Sequence, residues 1–353
     1  DLMPENASAY NNRADLYKSP LEKYELALKD YAKAIELNND EYEIARATNN
    51  RAIIYQSQKK YELAIKEYTK AIDLLNDPVN KAMSYRNRAQ IYEAQEKFDL
   101  AIADYNKAVE TAPKVYDNYD YRAAFYKTQG KYDLALLDYS KCIDLMPENA
   151  GAYNNRADLY DTYMEKSEMA LKDYAKAIEL NNDEYEIARA TNNRAIIYQS
   201  QKKYELAIKE YTKAIDLLND PVNKAMSYRN RAQIYEAQEK FDLAIADYNK
   251  AVETAPKVYD NYDYRAAFYK TQGKYDLALL DYSKCIDLMP ENAGAYNNRA
   301  DLYDTYMEKS ELAIKDYAKA IELNNDEYEI YRATNNRATI YQSQKKYELA
   351  IKE

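Results

Sequence analysis

YDYRAAFYKTQGKYDLALLDYSKCIDLMP, residues 119–147, decides the fold. Tyr119, Arg122, Ala123 and Tyr126 recur at i, i+3, i+4 and i+7, one stripe of an α-helix. Gln129-Gly130-Lys131 interrupts the stripe, and Gly130 can take the positive φ that ends a helix. Tyr132, Ala135, Tyr139 and Cys142 then restart it, and Pro147 closes the unit. The segment therefore predicts two amphipathic helices joined by a short turn. Neither helix can bury its stripe alone, so the hairpin must stack on copies of itself.

The copies are present. An Arg-Ala pair marks ten units, at Arg13, Arg51, Arg88, Arg122, Arg156, Arg194, Arg231, Arg265, Arg299 and Arg337. The spacings run 38, 37, 34 and 34, repeat in that order, and end on 38. A helix pair about every 34 residues with these landmarks resembles the tetratricopeptide repeat over essentially the whole chain. In the unit at Arg122 the family's small residue of the first helix is Ala123 and its following aromatic is Tyr126. The alanine of the second helix is Ala135, the next aromatic Tyr139, the second small position Cys142, and the closing proline Pro147. Arg stands where the family often has a large apolar residue, Ala replaces its glycine, and Asn182 stands at a proline position. Extra residues such as DEYEIARAT after Asn39 predict lengthened helices. The resemblance implies an all-α, right-handed superhelical solenoid of stacked antiparallel hairpins, one domain over residues 1–353.

Three blocks are visible inside it: 1–143, 144–286 and a partial 287–353. Ala27–Ile143 equals Ala170–Ile286 at every position, and the third copy differs at Leu312, Ile314, Tyr331 and Thr339. Stability alone does not hold exposed Lys, Gln and Asn identical, because surface changes are nearly neutral. Recent duplication or deliberate concatenation accounts for it.

Composition narrows the functions. A net charge of −10 argues against a nucleic-acid backbone as partner. No apolar run of about 18 residues exists, so a helix spanning a bilayer is not expected. Nothing at the start resembles a signal peptide. The chain opens on DLMPENA, the tail of a unit, and stops at Glu353 inside a second helix, so both ends read as cuts in a longer array. Ile340, Tyr341, Leu349 and Ile351 would then be left partly bare, favouring end-to-end self-association or fraying. The compartment is not decided, with the cytoplasm weakly favoured.

The sequence has no His, which removes Ser-His-Asp and Cys-His catalysis and His-ligated metals. The carboxylates of Asp117 and Asp120 read as a solvated helix end rather than a glycosidase pair. No enzyme, metal or cofactor is expected. Cys142 and Cys285 sit four units apart, far beyond disulfide reach, and read as small buried side chains.

Each unit pairs its Arg with an acid just before the second-helix Tyr: Asp30, Glu67, Asp104, Asp138, Asp173, Glu210, Asp247, Asp281, Asp316 and Glu353. A bare charge beside an apolar stripe is costly. A ladder of ion pairs between the two helices is therefore expected. Asp40 with Glu43 predicts a capping box, and Asp77-Pro78 an N-cap with proline at the first helical position.

In superhelices of this kind the first helices line the concave side. The resemblance places Asn154, Asp158, Asp161, Arg189, Asn192, Gln199, Arg229, Gln233, Asp260, Asp263 and Lys270 on that groove. Amide side chains both donate and accept, which suits the main chain of an extended peptide. No unit offers the Lys-then-Asn spacing of the family's carboxylate clamps. The expected function is a non-catalytic scaffold binding a peptide or partner helix. The alternative is a structural spacer or self-assembling array.

Overall fold

The structure, a computed structural model, describes residues 6–19, 21–181, 183–324 and 327–353. Asn182 lies outside the described residues. The chain divides into two compact units, Asp1–Leu180 and Asn181–Glu353. The first holds α1 (Ala7–Lys18), α2 (Tyr24–Leu37), α3 (Glu41–Ser57), α4 (Tyr61–Leu74), α5 (Pro78–Ala94), α6 (Phe98–Thr111), α7 (Tyr116–Thr128), α8 (Tyr132–Leu145), α9 (Ala150–Thr162) and α10 (Ser167–Leu180). The second holds α11 (Glu184–Ser200), α12 (Tyr204–Leu217), α13 (Pro221–Ala237), α14 (Phe241–Thr254) and α15 (Tyr259–Thr271). It continues with α16 (Tyr275–Leu288), α17 (Ala293–Thr305), α18 (Ser310–Leu323), α19 (Glu327–Ser343) and α20 (Tyr347–Lys352). No strand occurs among the described residues. The fold is all-α, built of hairpins as the sequence implies.

One tile of core repeats. Ala52 of α3, Ala64 and Tyr68 of α4, and Ile91 of α5 form one buried cluster. Ala89, Ala101, Tyr105 and Phe125 form the next, and Ala123, Ala135, Tyr139 and Leu159 another. The second unit repeats the tile with Ala195, Ala207, Tyr211 and Ile234. Each hairpin thus supplies two alanines and a tyrosine, and the following first helix supplies the large apolar lid. The alanines let the two helices approach, and the lid explains why a hairpin needs its neighbour. Close to the last helix, Ile340 is 2% exposed, against the expectation of a bare stripe there. It clusters with Ala333 of its own helix and packs on Ala300, Ala313 and Tyr317 of the preceding hairpin. Leu349 and Ile351 are exposed, at 42% and 84%.

All ten expected ion pairs are present. Arg122 Nε and Nη2 donate to the two oxygens of Asp138 at 2.8 Å each, and Arg265 does the same to Asp281. The remaining pairs are Arg13–Asp30, Arg51–Glu67, Arg88–Asp104, Arg156–Asp173, Arg194–Glu210, Arg231–Asp247, Arg299–Asp316 and Arg337–Glu353. The third guanidinium nitrogen reaches back to the previous hairpin: Arg122 Nη1 donates to Asn106, Arg88 Nη1 to Thr69. Arg88, Arg122, Arg156, Arg231, Arg265 and Arg299 therefore staple their own hairpin and the one before it. The chain has 42 tyrosines, and many of them have a cause here too. Arg122 lies between the rings of Tyr119 and Tyr126, 5.8 and 5.7 Å from their centroids, and Arg88 between Tyr85 and Tyr92. Aromatics three before and four after the Arg flank it on one helix face.

The turns close by local chemistry. Asp77 Oδ2 accepts from the Asn80 amide with Pro78 at the first helical position, as expected. The capping box is only half formed. Asp40 caps α3 by accepting from the Tyr42 amide, but Glu43 does not return to Asp40. Its carboxylate is drawn to Arg46 and to Asn11 of the neighbouring first helix. Within hairpins the turn passes through a left-handed residue, Gly130 at φ 69° and Gly273 at 69°, but elsewhere a non-glycine such as Lys59, Glu96, Lys202 or Glu239. Lys60 N then donates to Tyr55 O at 2.8 Å, closing the helix end. A side chain in that region is strained, so Lys202→Gly should stabilise the second unit by about 0.5–1 kcal/mol. A denaturant midpoint that falls on this change would contradict the reading.

Both cysteines are buried and free, each Sγ 3.8 Å from a main-chain oxygen, of Tyr116 or Tyr259. Burial pushes both thiols well above their ordinary range. Thiol labelling in native buffer should therefore be slow and become complete only in denaturant. Fast labelling of the folded chain would place the position on the surface.

Candidate peptide-binding face

Successive first helices neighbour one another within each unit, α1 with α3 and α5 with α7, then α11 with α13 and α13 with α15. Their facing side chains are largely spoken for. In the first unit Arg46 donates to Asn12 at 3.1 Å and Asp15 at 3.0 Å, and Asn50 to Asp15 at 2.9 Å. Arg86 pairs with Asp117 at 3.3 Å and lies 4.8 Å over the Tyr121 ring. Asn155 of α9 donates to Asp120 of α7 at 3.1 Å. A lateral polar network thus joins neighbouring first helices.

The expected groove residues divide accordingly. Asn154 is fully buried and Asn192 is 4% exposed, so neither presents its amide to open solvent. Asp158 accepts the hydroxyl of Tyr174, and Gln199 that of Tyr211 at 2.8 Å. These two positions satisfy core tyrosines, whose rings are buried in the hairpin. Asp161 accepts from Ser167 at 3.2 Å, and burial raises its carboxyl above the usual range. Arg189 pairs with Glu186 one turn earlier at 3.0 Å. Arg229 is 11% exposed at its side chain, pairs with Asp260 at 3.5 Å, donates to Asn261 at 3.2 Å and covers Tyr264 at 4.9 Å. Asp263 accepts from Asn298 at 3.0 Å, and burial, with Asp260 beside it, raises its carboxyl. Asp260 remains 55% exposed at its side chain, and Gln233 and Lys270 are half-buried.

The structure therefore brings Arg229, Asp260, Asp263 and Lys270 together on α13 and α15, while Asn154 and Asn192 serve inside the fold. Tyr264, 38% exposed over Arg229, belongs to the same patch and was not among the expected residues. The first unit carries the same patch as Arg86, Asp117, Asp120, Tyr121 and Lys127.

A second feature lies where the long first helices meet. A cavity of about 120 Å³ opens between α3 and α5, lined by Tyr42, Ala45, Asn49, Leu75, Asn80 and Met83. Its copy between α11 and α13, about 80 Å³, is lined by Tyr185, Ala188, Asn192, Leu218, Asn223 and Met226. Tyr185 and Asn223 stand nine and eight residues before the Arg of their units, in the added helical turn. The 17-residue lengths of α11 and α13, against 13 for α15, are the sequence signal for this feature.

Among the described residues the chain is a succession of helical hairpins. Tetratricopeptide repeat models match residues 5–77, 43–114 and 186–257, and a second such model matches 150–184 and 293–327. The chain belongs to the tetratricopeptide repeat family. Among curated proteins none matches it. Similar solved structures include the C-terminal part of a repeat protein from Cytophaga hutchinsonii, at 19% identity and a TM-score of 0.58 over 72% of this chain and 98% of that one. A tetratricopeptide repeat protein from Parabacteroides merdae matches at 19% identity and a TM-score of 0.53, covering 76% and 98%. Yeast Tom70 matches at 17% identity and a TM-score of 0.51, covering 98% and 90%. At these identities the likeness shows the fold. The family is one of protein-interaction scaffolds. No helix among the described residues is long and apolar enough to cross a membrane.

Proposed function

We propose that the chain is a non-catalytic scaffold that binds an extended, partly basic peptide along the face of its first helices. The observation that carries this is the acid patch on α13 and α15. Asp260 and Asp263 stand together, one largely exposed and the other disfavoured as an anion by burial, beside an exposed tyrosine ring. Arg229 and Lys270 offset much of that charge, while the Asp260 carboxylate stays open to solvent. A lysine or arginine of a ligand would neutralise the rest and stack on tyrosine. The first unit offers the same arrangement at Asp117 and Asp120.

Selection of random short peptides displayed on phage against the immobilised chain tests this reading. Enriched peptides should carry Lys or Arg, and hydrogen exchange should show protection on α5, α7, α13 and α15. Failure to enrich any peptide, or protection confined to the second helices, would overturn it. The block identity of the sequence favours the second reading, a spacer array, which predicts that no peptide is enriched.

A further inference from the structure

We infer that α8, and equally its copy α16, is a face on which the chain pairs antiparallel with a second copy of itself. This goes beyond peptide binding and does not rest on it, because the face lies on second helices. Its centre is aliphatic and open to water. Leu137 is 66% exposed and Leu134 43%, and Leu280 and Leu277 repeat both values. The hairpin does not use them, since the buried stripe of α8 is Ala135, Asp138, Tyr139 and Cys142. The position of Leu137 is singular. From α2 to α18 every second helix carries an acid four residues before it and a lysine four after. Between these stands Lys in α2, α4, α10, α12 and α18, Ala in α6 and α14, and Leu in α8 and α16 alone.

The charges choose the occupant. Asp133 and Lys141 flank Leu137 symmetrically, each about 6 Å along the helix and on the same exposed side. Neither makes an ion pair among the described residues. A second α8 laid antiparallel, Leu137 on Leu137, sets Asp133 against the copy's Lys141 and Lys141 against the copy's Asp133. The contact is then isologous, with two complementary pairs around an apolar centre. An unrelated partner has no reason to carry this mirrored order, whereas a second copy carries it by construction. α6 lies beside α8, its Val109 packed on the cluster that holds Cys142, and repeats the spacing with Asp99, Ala103 and Lys107. The same axis serves it, Ala103 leaving room for close approach and Lys107 already bonded to its own Glu110 at 2.8 Å. On α4 and α10 the axis would press Lys66 and Lys172 onto their own copies, which limits the contact to α6 and α8. Two helices of 14 residues present a footprint of about 20 Å by 20 Å. That is well below the roughly 800 Å² per partner of a standard interface, so the pairing is weak and concentration-dependent.

Sedimentation velocity of the full chain over a concentration series tests this. The mass of the parent should rise with concentration above the 41.2 kDa of one chain. Leu137→Lys with Leu280→Lys gives α8 and α16 the residue that the Lys-bearing second helices already carry, and should leave a monomer at every concentration. Asp133→Lys with Asp276→Lys should weaken association about tenfold or more, because two exposed pairs in each contact turn repulsive. Adding Lys141→Asp and Lys284→Asp should restore it, since the complementarity is then only reversed. Circular dichroism checks that the helices persist, and if the Leu variant loses helicity, the charge reversal and its rescue decide. A parent that stays monomeric throughout would overturn the inference. Self-association that the Leu variant leaves unchanged would also overturn it, by placing the contact elsewhere, such as at the ends of the chain. Reversal without rescue would remove the antiparallel register and the inference with it.

Discussion

Replacing Asp138 with alanine should raise the opening equilibrium of the α7–α8 hairpin about a hundredfold, a loss of roughly 3 kcal/mol. The carboxylate is 7% exposed and takes two hydrogen bonds from Arg122, itself 18% exposed. Without it, a largely buried guanidinium keeps only Asn106 and the two flanking rings. Those rings offset little of a lost bidentate partner, because a cation over an aromatic contributes about 0.5–1 kcal/mol where water reaches it. In a repeat array the effect should be local, so hydrogen exchange across α7 and α8 is the measurement, not a global midpoint. The paired change Arg122→Leu with Asp138→Leu should cost far less, since a well-packed apolar pair avoids both desolvation penalties. If Asp138→Ala shifts protection by under about 1 kcal/mol, the ladder is surface decoration of the kind exposed pairs usually are.

The ladder was legible because both partners lie within one hairpin, at a separation of 16 or 17 residues that the hairpin geometry fixes. The same holds for the helix starts at Asp40 and Asp77 and for the buried cysteines. Features that depend on the register between neighbouring hairpins were not legible. Glu43 reads locally as half of a capping box, but Arg46 and Asn11 of the adjacent helix outbid the Asp40 amide. Arg189 and Arg229 were expected as groove cations, yet each lies beside a carboxylate: Glu186 on the same helix for Arg189, and Asp260 of the next first helix for Arg229. Asn192 was expected to face solvent, while Ser227 of α13 ties its oxygen inside. Side chains that look alike along one helix are thus sorted by a helix 35 residues away, which no local pattern encodes.

Charge reversal on the acid patch should remove peptide binding. Asp260→Lys with Asp263→Lys turns two attractions into two repulsions. Partly exposed pairs contribute up to about 1 kcal/mol each, so the swing reaches roughly 3–4 kcal/mol and the affinity falls at least a hundredfold. Asp287→Lys, an exposed carboxylate on the second helix α16, should leave binding unchanged. The pH dependence follows from burial. The Asp263 carboxyl lies above its ordinary range because burial disfavours its anion; the Asp260 charge adds to this, and Asn298 and Lys270 oppose it. With the folded value raised above the unfolded one, stability from this group is greatest when it is protonated. It is lost as pH rises through the raised value. A cationic ligand reverses the balance by favouring the anion, so binding releases a proton and tightens as pH climbs through the same window. Asp263→Asn should therefore stabilise the free chain at neutral pH, weaken binding of a Lys-containing peptide, and flatten its pH dependence. An affinity that does not change while the Asp263 carboxyl of the free parent titrates would separate Asp263 from the ligand. Salt dependence offers the independent check: exposed charge contacts weaken as the Debye length shrinks, whereas binding that survives high salt would rest on uncharged contacts and not on the acid patch.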